Sequence, residues 1–209
     1  MFQNREEAGK ELAHALINYR DHQDALVIGL PRGGVPVAYQ IASFLNLPLD
    51  VICPRKIGAP GNPEYAIGAV TETGEKIISQ SVVDSLGVSE KDVKRMIQVE
   101  SEEALRRLKR YREGLPKRDL KDKVVILVDD GIATGSTIKA AIYSIQAESA
   151  KKIIVAVPVS PINTYQEIQE MVDEIYSLDL PLDFYAVGQF YQDFGSTSDQ
   201  EVYDLLHKI

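Results

Sequence analysis

The chain has 209 residues, of which 44% are hydrophobic and 26% charged, and it carries a formal net charge of -8. These values predict one folded domain, residues 1–209, and argue against general disorder and against a general nucleic-acid-binding surface. No apolar run approaches the roughly 20 residues that span a bilayer, and the first residues lack the apolar core of a secretory signal. The single cysteine, Cys53, excludes an internal disulfide. We therefore expect a cytoplasmic protein with no membrane or nucleic-acid partner.

The first quarter of the chain predicts a β-α-β unit. Asn4 is expected to cap an N-terminal helix. The apolar run at residues 25–30 predicts a buried strand, which is followed by a helix over 35–44 and a second strand over 49–53. Strands that alternate with helices in this way are typical of a parallel sheet.

The loop after the first strand, Pro31-Arg32-Gly33-Gly34, has features of an anion site. Its two glycines allow the backbone to approach an anion closely, and Arg32 supplies a fixed positive charge. Taken alone, this loop is equally consistent with a tight turn that binds nothing.

Residues 55–65 are rich in Gly, Ala and Pro, and this composition predicts no regular element. The segment carries Arg55 and Lys56 at one end and Glu64 at the other. It is interpreted as a mobile lid over a polyanion. The alternative is a surface turn whose cations are only solvated.

The middle of the chain predicts extended strands over 65–78 that turn near residues 72–74, and then a long charged helix. Ser89 is expected to cap that helix, which runs to about Arg112. Its basic run, residues 106–112, is interpreted as a solvated face because glutamates precede it, and the alternative is a contact with a phosphate or nucleic acid.

The most informative stretch is the apolar run 124–128, which Asp129 and Asp130 follow directly. Such a run predicts a strand buried on both faces of a parallel sheet. A helix from about Gly135 to Ala147 and a strand over 153–157 complete a second β-α-β unit. Ligands of open α/β sheets bind beyond the carboxyl ends of the strands, where the acid pair would lie.

The residues of this stretch suit a sugar phosphate. Backbone N–H groups and hydroxyls at a helix N-terminus suit a phosphate. Ionised carboxylates only accept hydrogen bonds, so Asp129 and Asp130 suit a sugar diol. The stretch therefore predicts a ribose 5-phosphate site. The alternative is a buried strand and a capped helix with incidental acids.

The remainder predicts a helix from Pro161 to Val172 and a short strand over 175–178. The last thirty residues are interpreted as irregular and aromatic, with a turn and a helix cap at 195–198.

An apolar run, two acids and a loop that ends Thr-Gly-x-Thr resemble the phosphoribosyl pyrophosphate (PRPP) signature of the type I phosphoribosyltransferases. The resemblance implies that Asp129 and Asp130 bind the ribose hydroxyls. It also implies that they hold a metal ion, largely through these hydroxyls or through water. It assigns the 5-phosphate to the loop residues Ala133, Thr134, Gly135, Ser136 and Thr137. Gly131 departs from the family's usual aliphatic residue, which leaves more backbone freedom there and changes none of the implied ligand contacts.

The same resemblance implies a pyrophosphate side. The loop at residues 31–34 looks like the family's pyrophosphate loop, and we therefore predict a cis peptide bond between Pro31 and Arg32. Arg55 and Lys56 resemble the catalytic loop of adenine-type members, and Glu64 is the candidate lid carboxylate that acts on the base.

The implied fold is α/β, a type I phosphoribosyltransferase-like doubly wound parallel sheet with a small C-terminal hood formed by residues 178–209. The implied activity is that of a glycosyltransferase in nucleotide salvage, which uses PRPP with Mg²⁺, transfers the 5-phosphoribosyl group to a nucleobase-like nitrogen acceptor and releases pyrophosphate. The rival hypothesis is a PRPP-binding regulatory protein without turnover. A dinucleotide-binding enzyme is disfavoured because no Gly-x-Gly-x-x-Gly follows a strand.

The accepting base stays open. Ala133 stands where hypoxanthine-guanine enzymes have an Asp, which disfavours a 6-oxopurine. Phe190, Tyr191 or Phe194 could stack on a base, although core packing explains each equally well. Asp193 could approach a second magnesium ion, with an exposed loop acid as the alternative. The pathway and the formation of a homo-oligomer are not determined by the sequence.

Overall fold

A parallel sheet and a smaller antiparallel sheet organise the chain. The computed structural model describes residues 1–209, with side chains described for residues 1–62 and 66–209. The strands are β1 (Ala25–Gly29), β2 (Leu49–Val51), β3 (Arg55–Ala59), β4 (Asn62–Val70), β5 (Lys76–Ile78), β6 (Val124–Val128), β7 (Lys152–Val159) and β8 (Glu174–Asp179). The α-helices are α1 (Arg5–Ala15), α2 (Gly34–Leu45), α3 (Gln80–Ser85), α4 (Glu90–Tyr111), α5 (Ser136–Ala147), α6 (Ile162–Gln169) and α7 (Asp199–Leu206), and short 3₁₀ turns span Ile17–Tyr19 and Val187–Phe190.

The larger sheet has five parallel strands in the order β2-β1-β6-β7-β8. From β1 the chain moves outward to β2, and it later returns to place β6 on the other side of β1. The sheet therefore reverses its winding between β1 and β6, whose ends are level because Gly29 pairs with Val128. This order confirms the predicted doubly wound α/β fold, and it places a ligand crevice at the carboxyl ends of β1 and β6.

Both faces of the sheet are covered, as the unbroken apolar strands predicted. Every residue of β1 and of β6 is buried. One face packs against α1, α2 and α7, and the other packs against α5 and α6. Because strand residues are buried in both of the main hydrophobic clusters, the sheet forms a rigid base for the loops at its edge.

The prediction of an irregular loop over residues 55–65 is wrong. This segment forms a hairpin in which β3 pairs with β4 in antiparallel fashion, with Ala59 opposite Asn62. Pro60 and Gly61 make the turn, and Gly61 has a φ of 77°, as a type II turn requires. The register shifts at Gly58 show how the pairing accommodates a glycine inside a strand.

The smaller sheet has the order β3-β4-β5 and packs against α3 and α4 through apolar side chains. The predicted strands within 65–78 are confirmed by β4 and β5. The predicted cap of α4 is confirmed as well, because Ser89 Oγ accepts the Asp92 N–H at 3.1 Å and donates to the Asp92 carboxylate at 2.7 Å.

The predicted helix cap at 195–198 is confirmed, because Ser198 caps α7 by accepting the Glu201 N–H at 3.1 Å. The last thirty residues are otherwise more ordered than predicted, since Val202 and Leu206 of α7 are buried against the core. The apolar face of this eight-residue helix is too short to produce a clear periodic pattern. Among the described residues, no helix has the length and apolar character to span a bilayer.

Candidate functional site

The acid pair and the loop at residues 31–34 lie together at the carboxyl edge of the sheet. Asp129 and Asp130 follow the last residue of β6, and the loop follows β1. The two adjacent strands stay paired up to this edge, because the Leu30 N–H donates to the Val128 carbonyl at 2.9 Å. Two segments that are about a hundred residues apart in sequence thus form one crevice.

The loop touches the acid pair so closely that only glycines fit. A Cβ added to Gly33 would lie 1.9 Å from Asp130 Oδ2, and one added to Gly34 would lie 2.8 Å from the Asp129 Cα. These glycines are required by close packing against the acids, since Gly33 has an ordinary helical φ of -64°.

The peptide bond between Pro31 and Arg32 is cis, which confirms the prediction. The Arg32 side chain is 45% exposed, and its Nη1 lies 3.7 Å from Asp199 Oδ1. Arg32 therefore lies at the entrance of the crevice, beside the N-terminus of α7.

The loop from Gly131 to Gly135 leads into α5. Gly135 has a φ of 74°, and Thr164 Oγ1 donates to the Ala133 carbonyl at 3.0 Å, which fixes the loop from behind. The hydroxyls of Thr134 and Ser136 are 3.2 Å apart. The first N–H groups of α5 have no partner within the helix, so this end is suited to an anion.

A small cavity of about 160 Å³ opens between Asp129 and this loop, and it is lined by Asp129, Gly131 to Gly135, Thr137, Ile138 and Val187. A larger groove of about 600 Å³ lies elsewhere, near the amino ends of the strands, beside Ala25, Leu49 and Arg112. Because ligands of this fold class bind at the carboxyl ends of the strands, the smaller cavity is the better candidate.

Close packing around position 131 explains why a glycine stands there. A Cβ there would lie 2.5 Å from Val187 Cγ1 and 3.0 Å from Val159 Cγ1. The 3₁₀ turn that begins at Val187 therefore closes over the loop, and an aliphatic residue at position 131 would displace it.

The acid pair is electrostatically strained. Burial raises the pKa of Asp129 well above its usual value, and the neighbouring Asp130 carboxylate adds to this effect. Burial also raises the pKa of Asp130, but the Arg5 guanidinium opposes the shift there. Two adjacent carboxylates of this kind are stabilised by hydrogen-bond donors or by a cation.

The sequence analysis missed Arg5. Its Nε donates to Asp130 Oδ2 at 2.7 Å, and its Nη1 donates to the Gly195 carbonyl at 2.6 Å. Its guanidinium carbon lies 3.9 Å from the centre of the Phe194 ring. One sequence signal pointed to such a partner, because a cation in the first turn of a helix is unfavourable unless a nearby acid compensates for it.

The C-terminal aromatic rings pack against one another. Phe190 stacks on Phe184 with centroids 5.4 Å apart, and Tyr191 stacks on Phe194 at 5.0 Å. Phe194 carries Arg5 over its ring as well. Phe190 and Tyr191 are thus core residues, whereas Phe194 is 37% exposed. Asp193 is an exposed acid that accepts the Gly195 N–H at 3.1 Å.

The smaller sheet carries the two predicted lid cations. Arg55 Nε donates to Glu100 of α4 at 2.9 Å, so Arg55 is engaged with α4 rather than with either loop of the crevice. Lys56 is partly buried and pairs with Ala69 in the strand register. The third predicted lid residue, Glu64, lies outside the described side chains.

A magnesium ion with a bound phosphate ligand is compatible with the acid pair. Among the described side chains, no group of three or more His, Cys, Asp or Glu could enclose a metal ion. Mg²⁺ commonly takes only one or two carboxylates and completes its shell with phosphate oxygens and water. Asp129 and Asp130 could supply that number.

The fold and the crevice define an α/β protein with an acid pair and a helix-opening loop at the point where its sheet reverses. The family model of the phosphoribosyl transferase domain matches residues 2–194, and the chain belongs to this family. The match confirms the resemblance that the sequence motifs suggested.

Individual relatives agree with this assignment. Two proteins of Mycobacterium tuberculosis, from strains H37Rv and CDC 1551, bear the name "Putative phosphoribosyl transferase" and are each 38% identical over 213 residues, which cover 100% of this chain and 47% of theirs. The chain thus spans about half the length of these relatives. The crystal structure of TT1426 from Thermus thermophilus is similar with a TM-score of 0.82 and 38% identity, covering 98% of this chain and 97% of that one.

Proposed function

We propose that this protein transfers the 5-phosphoribosyl group of PRPP to a nucleobase-like nitrogen acceptor and releases pyrophosphate. One observation carries the proposal: the acid pair with its phosphate loop and the glycine loop at residues 31–34 meet at the carboxyl ends of β1 and β6. This is the place where a ligand with a phosphate, a diol and a second anion would find a partner for each group.

The ribose 5-phosphate half of PRPP fits the loop after β6. Backbone N–H groups and hydroxyls between Ala133 and Thr137 would bind the 5-phosphate at the start of α5. The carboxylates of Asp129 and Asp130 would accept hydrogen bonds from the ribose hydroxyls and face the ring as it becomes positively charged.

The pyrophosphate half would lie on the loop at residues 31–34. Because this loop lies close to the acid pair, its backbone would lie beside C1 of a ribose bound there, and Arg32 would provide a cation at the entrance. Arg55 and Lys56 would add charge when the hairpin of β3 and β4 moves toward the ligand, which requires Arg55 to exchange Glu100 for pyrophosphate. Fixed charge of this kind stabilises a leaving group without solvent reorganisation.

Magnesium would arrive with PRPP, and Asp129 and Asp130 would hold it directly or through water. When bound, it would neutralise charge on the departing pyrophosphate. The chain's own contribution is the orientation of the sugar and the exclusion of water from C1.

The acceptor class rests on the family. Ala133 supplies no acid or base beside the acceptor, so proton removal from the acceptor is assigned to Glu64 of the hairpin, or the acceptor enters deprotonated. A free nucleobase as the acceptor would place the reaction in nucleotide salvage.

The proposal is tested by measuring pyrophosphate release from Mg²⁺ and PRPP against a panel of purine and pyrimidine bases. We expect release that depends on one base or a few related bases. Calorimetry with PRPP alone is the companion measurement. Binding without release for any base would contradict the transferase proposal and favour a PRPP-binding regulator. The absence of both binding and release would contradict the ligand assignment itself.

The variant Asp130→Asn tests the site. It preserves the side-chain volume but replaces an ionised acceptor by a neutral amide, so we expect PRPP binding and pyrophosphate release to fall by about tenfold or more. Circular dichroism at the assay temperature serves as the control and should show the wild-type fold, although the unfolding midpoint should fall because the ion pair with Arg5 is broken. Unchanged PRPP affinity in this variant would remove Asp130 from the site.

A further inference from the structure

Asp130 is held from two directions by the ends of the chain. Its carboxylate accepts Arg5 Nε at 2.7 Å, and its main-chain carbonyl accepts Tyr191 Oη at 2.6 Å. The side chains of Arg5 and Tyr191 are themselves connected through Phe194. Tyr191 stacks on Phe194, and the guanidinium carbon of Arg5 lies 3.9 Å from the centre of the Phe194 ring. The contacts form a closed ring through Asp130, Arg5, Phe194 and Tyr191.

The backbone reinforces this ring. Residues 2 and 3 pair with the segment 190–193 through the N–H groups of Phe2, Gln192 and Asp193, at 2.8 to 2.9 Å. Arg5 begins α1 directly after this pairing, and Asn4 fixes the start of the helix by accepting the Glu7 N–H at 3.0 Å. The Arg5 side chain is 13% exposed, so the guanidinium is set by its surroundings.

The pyrophosphate loop constrains the same oxygen. Asp130 Oδ2 is the atom that a Cβ on Gly33 would approach to 1.9 Å, and it is also the atom that Arg5 binds. Arg5 and the Gly33 backbone therefore fix Oδ2 between them, and rotation of the carboxylate is restricted. The second oxygen, Oδ1, is the one that Arg5 does not engage.

We propose that Arg5 is a positioning residue of the ribose site, which holds Asp130 by Oδ2 so that Oδ1 is presented to a ribose hydroxyl of PRPP. The inference rests on the proposed function, because it concerns the same ligand. Arg5 acts on the sugar through Asp130, and its cation allows two neighbouring carboxylates to stand in one crevice before the ligand arrives.

The chain offers a closely matched control for this proposal. Arg112 pairs with Asp50 at 2.7 Å, with side chains 14% and 13% exposed. The Arg5–Asp130 pair has the same distance and exposures of 13% and 14%. Arg112 borders the large groove near the amino ends of the strands. Arg112 binds both oxygens of Asp50, whereas Arg5 binds one oxygen of Asp130. Removal of either arginine breaks an ion pair of similar length and exposure, but of the two only Arg5 lies at the candidate ligand crevice.

The first experiment measures the affinity for Mg²⁺–PRPP by calorimetry in the wild type, Arg5→Gln, Arg5→Lys and Arg112→Gln, with thermal unfolding of each. We expect Arg5→Gln to weaken PRPP binding about tenfold, since charge-assisted hydrogen bonds contribute at least that much. Arg5→Lys should recover part of the affinity, because it restores the charge but not the planar contact with Phe194. Arg112→Gln should lower the unfolding temperature and leave the affinity within about twofold of wild type.

The second experiment combines Arg5→Gln with Asp130→Asn. If Arg5 acts through Asp130, the double variant should bind PRPP within about twofold of Asp130→Asn alone. The affinity for inorganic phosphate, which would probe the loop from Ala133 to Thr137, should be the same in wild type and Arg5→Gln. In turnover assays Arg5→Gln should raise the KM for PRPP more than it lowers kcat.

Three results would overturn the inference alone. The first is wild-type affinity in Arg5→Gln, and the second is equal losses in Arg5→Gln and Arg112→Gln. The third is additive losses in the double variant, which would show that Arg5 does not act through Asp130. A wild-type protein that binds no PRPP would instead overturn the proposed function, and the role of Arg5 with it.

Discussion

At the residue scale, the crevice depends on three glycines, because the lack of a side chain at each of them lets neighbouring segments pack closely. Gly33 and Gly34 let the loop after β1 rest against Asp130 and Asp129, and Gly131 lets Val187 rest against the loop after β6. In each case a single methyl group would separate surfaces that form the candidate site. Small residues at these positions therefore shape the site without contributing a functional group.

The variant Gly33→Ala tests this reasoning. The added Cβ would lie 1.9 Å from Asp130 Oδ2, so the loop or the carboxylate must move, and we expect PRPP affinity to fall by about tenfold or more. Calorimetry measures the loss.

The control for this prediction is Gly87→Ala. Gly87 has a φ of 62° and open space around its Cα, so alanine there is destabilising through backbone strain, by about 1 kcal/mol. It lies away from the crevice and should leave PRPP affinity unchanged. Wild-type affinity in Gly33→Ala would show that the loop adjusts at no cost.

At the scale of elements, Asp199 joins the C-terminal helix α7 to α4 and to the crevice. Its carboxylate accepts Tyr111 Oη at 2.7 Å and Arg110 Nη1 at 3.1 Å, and Arg32 Nη1 lies 3.7 Å away. The hydrogen bond from Tyr111 lowers the pKa of Asp199, and the positive charges of the nearby arginines lower it further. One acid thus links two helices and the loop that is expected to bind pyrophosphate.

The variant Tyr111→Phe should lower the free energy of unfolding by about 1–2 kcal/mol at pH 7, because a buried donor to a carboxylate is removed. The lowered pKa of Asp199 means that its stabilisation is present above the unfolded value, about 3.9, and is lost as the pH falls through the lower folded value. The difference between wild type and variant should therefore shrink below about pH 4. Urea denaturation between pH 7 and 3 measures it, and a difference that stays constant with pH would contradict the assignment.

At the scale of the whole molecule, one buried arginine connects the two sheets. Arg118 donates to the Val51 carbonyl at the end of β2 at 2.7 Å, to Glu72 between β4 and β5 at 3.2 Å, and to Glu148 after α5 at 2.6 Å. Glu72 is only 2% exposed at its side chain, and Arg118 is 8% exposed. Arg118 thus ties the turn between β4 and β5 to the end of β2 and to the C-terminal end of α5.

The variant Arg118→Met should lower the free energy of unfolding by about 3–5 kcal/mol, because it leaves the buried Glu72 carboxylate without its cation. Urea denaturation followed by circular dichroism measures the loss. The surface pair of Arg106 and Glu103, at 2.6 Å with Arg106 59% exposed, supplies the control, since Arg106→Met should cost far less. Similar losses in the two variants would contradict a special role for Arg118.

Local patterns in the sequence predicted much of this protein. Several features could be predicted because each of them lies within one element and its immediate neighbours in the sequence. They are the β-branched runs at 25–30 and 124–128, the caps at Asn4 and Ser89, and the motif from Asp129 to Thr137. The hairpin over 55–65 was misinterpreted because Gly and Pro, which weaken isolated strands, are tolerated at a turn and a bulge once a partner strand is in place.

By itself, the sequence determined the class of fold and the family, and it predicted the residues of the two candidate ligand loops, because each of these is encoded in a continuous stretch. Only the tertiary structure decided which side chains support those loops. Arg5 and Asp130 are separated by 125 residues, and Tyr111 and Asp199 by 88. Such pairs depend on how the sheet and helices pack, and neither partner carries a local pattern that identifies the other.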